Sequence, residues 1–175
     1  MGNFVDSSPP PPYQNKLYKL CYDNKLAASH SFLLTLDAKE RLRQLFYQNS
    51  INDYTAVHNA LSNNAESTLI HLMLHSSTSQ TDRPRRRDGG YHSCSLFSLS
   101  DSDGSLPLHR ACVANTHIDV FKLLIFAHPK GLRETLNYGE LPSDLLRQRL
   151  HMMGDYDGGE RDKLLEIQKL VHACV

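Results

Sequence analysis

The sequence predicts an all-α protein, built as a short solenoid of helix-turn-helix repeats with helical caps. Two observations favour this class. The stretch from Asp103 to Leu124 contains turn residues followed by two segments with the apolar spacing of helices. Weaker copies of this stretch precede and follow it, and such a unit buries its apolar faces only by stacking against copies of itself.

The central copy opens with a glycine and a proline. Gly104 allows a turn of positive φ, and Pro107 fits the first helical turn, where its missing N–H costs nothing. The first helix carries an apolar face formed by Leu108, Ala111 and Cys112. The second helix is apolar around much of its circumference, through Ile118, Val120, Phe121, Leu123 and Leu124, and we expect it to be buried.

The downstream copy opens at Gly139, 35 residues after Gly104. Pro142 matches Pro107, and Asp144 takes the position of His109. After a longer connection, a second helix is predicted by the apolar series Leu164, Leu165, Ile167, Leu170 and Val171.

The upstream copy begins at Asp53, with no glycine in the turn. In its first helix, the positions of Leu106, Leu108, His109 and Ala111 are taken by Thr55, Val57, His58 and Ala60. In its second helix, Leu69, Leu72 and Met73 lie at the offsets of Val120, Leu123 and Leu124. Agreement over two helices predicts that this segment is a repeat of the same kind.

The central copy resembles an ankyrin repeat. It reads G-S-L-P-L-H-R-A from Gly104 to Ala111, and the ankyrin signature is G-x-T-P-L-H-x-A followed by a helix of the V-V-x-x-L-L type. The resemblance covers residues 51–175 as three ankyrin-like repeats. It implies that His58 and His109 hydrogen-bond across the turns between neighbouring units. It also implies a binding scaffold, and does not name a partner.

Residues 76–101 interrupt the repeat spacing. They are rich in Ser, Arg, Asp and Gly and show no helical period, so we expect a solvated insertion loop. The run Arg83–Arg87 keeps such a loop solvated; the alternatives are a nuclear import signal or a docking patch for an acidic partner. Ser98, Ser100 and Ser102 lie close to Asp101 and Asp103, and this acidic context makes the three serines candidate phosphorylation sites.

Residues 16–50 are predicted to form a helical N-terminal cap. A short helix is indicated within residues 16–26 by Leu17, Leu20 and Cys21. A second helix begins at Asp37, which is suited to cap it with Glu40 three residues on. Its polar face suits a terminal unit, which must turn one side to water.

Residues 1–15 are predicted to be a disordered, proline-rich tail, because consecutive prolines remove backbone donors and fix φ. The segment Pro10-Pro11-Pro12-Tyr13 is similar to the Pro-Pro-x-Tyr ligand of WW domains. The alternative is a proline-rich tether with an incidental tyrosine. Met1-Gly2 matches the start of a myristoylation signal, but the sixth residue is Asp6 where that signal has Ser or Thr.

Composition limits the classes of function. The chain has 175 residues, 40% of them apolar, and a formal net charge of zero, so no global field attracts nucleic acid or an anionic membrane. No apolar run approaches the length of a membrane span, and the four cysteines have no short paired spacing. We therefore expect no stable membrane insertion and a cytoplasmic location, with the nucleus as the alternative.

Motifs for chemistry are missing from the sequence. No nucleophile elbow, P-loop, zincin or dinucleotide-binding pattern is present, which predicts a non-enzyme without a cofactor. Four residues of zinc-ligand type, His92, Cys94, His109 and Cys112, match no zinc module in their spacing. We expect no metal site.

These patterns predict a protein–protein interaction module, an adaptor that holds a partner on the concave surface of turns and first helices. The candidate contact residues on that surface are Tyr54, Asn59, Ser105, Arg110, Tyr138, Glu140 and Arg147. In the tail, Pro10, Pro11 and Tyr13 would engage a WW-domain protein. The alternative is a structural subunit of a larger assembly, whose apolar last residues are buried by a partner.

Overall fold

The computed structural model of the protein describes residues 15–78, 95–153 and 158–174. Within these ranges the chain forms α-helices and 3-10 turns and contains no strand, which confirms the all-α class. The α-helices are α1 Lys16–Tyr22, α2 Leu26–Thr35, α3 Ala38–Leu45, α4 Ala56–Ser62, α5 Ser67–Thr78, α6 Pro107–Val113, α7 Ile118–Ala127, α8 Pro142–Met152 and α9 Gly158–Cys174. The 3-10 turns are Leu96–Ser98 and Pro129–Arg133.

The helices pack in two layers. In the first layer α1 packs on α4, α4 on α6, and α6 on α8. In the second layer α2 and α3 pack on α5, α5 on α7, and α7 on α9. The pairs α4–α5, α6–α7 and α8–α9 are therefore three helical hairpins placed side by side, and helices α1 to α3 cover the free side of the first hairpin.

A continuous apolar core lies between the layers. Most of the hairpin residues predicted to be buried are buried, among them Val57, Leu108, Val120, Phe121, Leu124, Leu164, Ile167 and Val171. Of the same apolar series, Ile118, Leu123 and Leu170 are partly buried and Leu165 is 37% exposed. Burial of a leucine or phenylalanine side chain contributes about 1.5–3 kcal/mol each. Since these residues belong to successive hairpins, the core ties each hairpin to its neighbours.

A residue of positive φ precedes the first helix of each hairpin. Asp53 has φ 56°, Gly104 φ 76° and Gly139 φ 88°, so the two glycine turns are as predicted. The upstream turn needs no glycine because aspartate tolerates the left-handed region better than most residues. At Gly104 a Cβ atom would also lie 2.7 Å from Oδ1 of Asn137, so that position requires glycine for space as well.

The N-terminal cap contains one helix more than the sequence predicts. Asp37 does cap α3, because its carboxylate accepts the N–H of Glu40 at 2.8 Å. The additional helix is α2, which buries only Ser29 and Leu33 of its ten residues. Two buried positions leave no apolar stripe, so periodicity gives no signal for this helix.

The predicted insertion loop is packed at both ends. Helix α5 continues to Thr78, and its Ser76 and Ser77 are buried. Leu96 and Phe97 are buried in a 3-10 turn that contacts α5 and α6. The expectation of a solvated loop is wrong for these ends, because apolar side chains there extend the core. Residues 79–94, with the arginine run, lie outside the described residues.

Candidate protein-binding surfaces

Backbone hydrogen bonds join the turns of neighbouring hairpins. The N–H of Ser102 donates to the carbonyl of Asn52 at 3.0 Å, and the N–H of Asn137 donates to the carbonyl of Asp103 at 3.0 Å. Asn52 and Asp103 occupy the same repeat position, one residue before the residue of positive φ. The turns therefore form a row along one edge of the hairpins, and the same bond is made at both junctions.

His58 adds a side-chain bridge at the first junction. Its Nδ1 accepts the N–H of Thr55 at 3.2 Å, so the proton is on Nε2, which donates to the carbonyl of Ser105 at 3.0 Å. Burial lowers the pKa of His58 to about 4, although the bond to Ser105 acts in the opposite direction. The imidazole is therefore neutral at pH 7, as this pair of bonds requires.

His109 makes the corresponding bridge at the second junction. Its Nδ1 accepts the N–H of Leu106 at 3.1 Å, and its Nε2 donates to the carbonyl of Glu134 at 3.0 Å. Burial lowers the pKa of His109 too. In the last hairpin Asp144 takes the histidine position and accepts the N–H of Leu141 at 3.0 Å. The predicted role of the two histidines is confirmed, and the last hairpin presents an acceptor where the others present a donor.

Arg110 and Asp101 form a largely buried ion pair. The Asp101 side chain is 0% exposed. Its Oδ2 accepts hydrogen bonds from Nη2 of Arg110 at 2.6 Å and from Nε at 3.2 Å. The same carboxylate accepts the N–H groups of Asp103 at 2.9 Å and Ser105 at 2.8 Å. The guanidinium carbon of Arg110 lies 4.5 Å from the ring centre of Tyr54. Arg110 thus links two turns within the molecule.

Two predicted contact residues are not accessible. Asn59 and Ser105 are each 5% exposed, so the prediction that they lie on the binding surface is wrong. Asn59 belongs to α4, which is covered by α1 on one side and α6 on the other. Ser105 is enclosed because its backbone bonds both His58 and Asp101. Both residues lie between predicted core positions in the sequence, and the prediction took such positions to be exposed.

Three of the other five predicted residues of the fold, Tyr138, Glu140 and Arg147, come together in one open groove. We call it the terminal groove; its volume is about 520 Å³, and its lining includes Tyr138, Glu140, Asp144, Arg147, His151 and Met152. The tyrosine is 82% exposed and the methionine 84%. Helix α8 packs on α6 and α9, and the groove lies along its solvent-facing residues. It is the face of the last hairpin that no further hairpin of the described chain covers.

Polar bonds shape the terminal groove without filling it. Oε1 of Glu140 accepts Nε2 of Gln148 at 2.9 Å. Nη1 of Arg147 lies 3.3 Å from Oδ1 of Asp144, and the arginine side chain is 67% exposed. Exposed pairs of this kind contribute between zero and about 1 kcal/mol, so these side chains are free to exchange partners.

The structure also has grooves that were not foreseen from the sequence. One of about 1050 Å³ lies on helices α2, α5 and α7 and is lined in part by His30, His71, Leu72, Leu123 and Phe126. Another, of about 240 Å³, is lined in part by Tyr18, Tyr22, Asn49 and Ile51. Phe126 is 80% exposed. From the sequence alone it cannot be told from the core residues of its apolar helix, so the groove that it lines could not be predicted.

Of the four residues of zinc-ligand type, the two in the described ranges have structural roles: His109 bridges to Glu134 and Cys112 is buried. Among residues 15–78, 95–153 and 158–174, no three His, Cys, Asp or Glu side chains are grouped to hold a metal ion. Burial raises the pKa of the Cys21 thiol to about 11 and also raises that of Cys112, so both stay protonated at neutral pH. His92 and Cys94 lie outside the described residues.

The tail motif at Pro10, Pro11 and Tyr13 also lies outside the described residues. The described helices include none whose length and apolar character would let it cross a membrane. A scan against known family models gives no match, and no curated protein matches the chain. The repeated junctions and the open grooves are therefore the observations from which function is inferred.

Proposed function

We propose that the chain is a non-enzymatic protein-binding module, an adaptor built on a short ankyrin-type stack. The observation that supports it is the repeated junction. At both junctions a histidine five positions after the residue of positive φ accepts a turn N–H and donates to a backbone carbonyl further along the chain. The ankyrin-like sequence implies this geometry, and stacks of this kind use turns and first helices as the binding surface.

The terminal groove is the proposed contact surface. It joins an exposed aromatic side chain, Tyr138, to charged side chains at its rim, Glu140 and Arg147. Tyrosine and arginine are the residue types that most often contribute large shares of binding energy. Tyr54 and Arg110 border the same row of turns, and they serve to hold its shape.

The tail supplies the second contact of the adaptor. The Pro-Pro-x-Tyr sequence ending at Tyr13 suits a WW domain, whose aromatic groove takes a preformed polyproline ridge. The tail joins the fold at Asn15, whose side chain caps α1. A partner on the terminal groove and a WW-domain protein on the tail would thus be brought together, in the cytoplasm or the nucleus.

The test is affinity capture with matched variants. The wild-type chain, the groove variant Tyr138→Ala and the control Phe126→Ala are used as baits, and bound proteins are compared by mass spectrometry. Both substituted side chains are exposed, so thermal melts of the baits should coincide. The proposal requires a set of proteins that the groove variant loses and the control retains. Identical retention by all three baits would contradict it.

A structural subunit is the second candidate, favoured by the exposure of Tyr138 and Met152 on the last hairpin. An assembly partner would remove this apolar surface from water. Size-exclusion chromatography separates the two: a well-behaved monomer favours the adaptor, and insolubility of the isolated chain favours the subunit.

A further inference from the structure

The junction between the first two hairpins shows how this fold holds an arginine. The guanidinium of Arg110 lies over the ring of Tyr54, with 4.5 Å between its carbon and the ring centre. Nη2 of the same guanidinium lies 2.6 Å from Oδ2 of Asp101 and 4.0 Å from Oδ2 of Asp103. The turn of one hairpin provides the ring, and the next hairpin provides the arginine.

The last turn offers similar groups, and no arginine of the described residues stacks on its ring. Tyr138 lies beside Gly139 and is 82% exposed. Glu140, at the repeat position of Tyr54, and Asp144 line the same groove. Asp144 replaces the bridging histidine, so this face offers an acceptor to whatever packs on it. A partner that supplies hydrogen-bond donors fits such a face.

The charge of the terminal groove also favours a partner with positively charged donors. Two carboxylates, Glu140 and Asp144, face one guanidinium, that of Arg147, and His151 also lines the groove. Arg147 pairs with Asp144 at 3.3 Å but remains 67% exposed. An exposed pair is weak, so a second guanidinium can share or replace it. The groove therefore retains net negative charge beside an exposed ring.

From these observations we infer that the terminal groove binds an arginine side chain of a partner protein, presented on a peptide segment with a neighbouring apolar residue. The guanidinium stacks on Tyr138 and faces Glu140 and Asp144, while the apolar residue covers Met152. Arginine is favoured over lysine because its planar group stacks on a ring and bonds carboxylates along two edges. This inference rests on the proposed function and names the partner class of the same groove.

The test is fluorescence polarisation with the full chain and two short labelled peptides. One peptide contains a single arginine flanked by leucine, and the other has citrulline, which is uncharged and nearly the same shape, in its place. We expect the arginine peptide to bind about tenfold more tightly, which corresponds to about 1.4 kcal/mol. Tyr138→Leu and Glu140→Gln should each remove most of that difference. Arg147→Ala, which deletes the competing cation, should preserve or increase it, and Phe126→Ala should leave it unchanged.

Several outcomes would overturn the inference. Equal affinity for the two peptides, or no binding at about 1 mM, would show that the groove does not select a guanidinium. Concentration-dependent dimerisation that Tyr138→Leu abolishes would assign the groove to a second copy of the chain. Tighter peptide binding after Arg83, Arg85, Arg86 and Arg87 are changed to Gln would assign it to that segment of the same chain. If the capture experiment succeeds while the peptides fail, the module is retained and only the partner class is wrong.

Discussion

Nε2 of His58 and the backbone carbonyl of Ser105, 3.0 Å apart, connect the first hairpin to the second across 47 residues of sequence. Nδ1 of the same ring accepts an N–H at 3.2 Å, and this second bond requires a neutral imidazole. Protonation would keep the Nε2 donor but place a second proton on Nδ1, where an acceptor is needed, inside a buried site. The stability of this junction therefore depends on pH, through the Nδ1 bond and the cost of burying the charge.

Acid should destabilise the fold through His58. Its pKa is about 4 when folded, against 6.5 for the unperturbed side chain, so the unfolded state binds the proton more tightly. The stabilisation is complete above pH 6.5 and falls as pH decreases toward 4, by roughly 3 kcal/mol. Urea unfolding followed by circular dichroism between pH 7.5 and 4.5 measures it. His58→Gln, which cannot titrate, should be less stable at pH 7.5 and show a shallower pH slope; equal slopes would contradict the coupling.

Removing the core leucine of the central hairpin should lower stability strongly. Leu108 is 3% exposed, and Leu108→Ala should cost about 2–5 kcal/mol. Val113, in the same helix, is 62% exposed, so Val113→Ala should change the free energy of unfolding by less than about 0.5 kcal/mol. Similar losses for the two variants in denaturant unfolding would contradict the helix register.

Arg110→Ala should leave a buried, uncompensated carboxylate. Asp101 is 0% exposed and keeps only its two backbone N–H bonds, so we expect a loss of about 3 kcal/mol. Arg147→Ala removes an exposed pair and should cost less than about 1 kcal/mol. In a double-mutant cycle, Asp101→Asn combined with Arg110→Ala should be less destabilising than the sum of the two changes. Additive losses would mean that the two side chains do not stabilise each other.

Sequence reasoning predicts the two glycine turns because a positive φ, as at Gly104, favours glycine. It predicts the role of His58 and His109 through the resemblance to ankyrin repeats. The ion pair between Asp101 and Arg110 could not be predicted from the sequence. Asp101 lies nine residues before Arg110 in an irregular segment, and no periodicity relates the two positions. Sequence reasoning misplaces Asn59 because a helix covered on both sides has no exposed face. The same reasoning that misplaced Asn59 assigned Tyr138, Glu140 and Arg147 to the surface of turns and first helices, and these three do line the terminal groove.

The two turn glycines should respond differently to alanine. Both have positive φ, which costs an alanine about 1 kcal/mol or more. At Gly139 the new methyl group meets open space, whereas at Gly104 it lies 2.7 Å from Oδ1 of Asn137. Moving that side chain also breaks its bond to the carbonyl of Ser102. Thermal melts should show a larger loss for Gly104→Ala, and the reverse order would contradict the close approach of the turns.

Tyr13→Ala should abolish binding to WW domains and leave the melting temperature unchanged. The polyproline ridge docks with little loss of conformational entropy, and the tyrosine fills the second pocket of the domain. The described residues begin at Asn15, whose side chain bonds Tyr18 and Gln44, and Tyr13 precedes them in the predicted tail. The control is Tyr22→Ala, which removes a tyrosine that is 65% exposed on α1 and should preserve binding.

A peptide of residues 5–18 titrated against a panel of WW domains gives the affinity of the isolated motif. Affinity no tighter than about 1 mM, or about −4 kcal/mol, would remove the WW-domain protein from the proposal and leave the folded surface as the binding site.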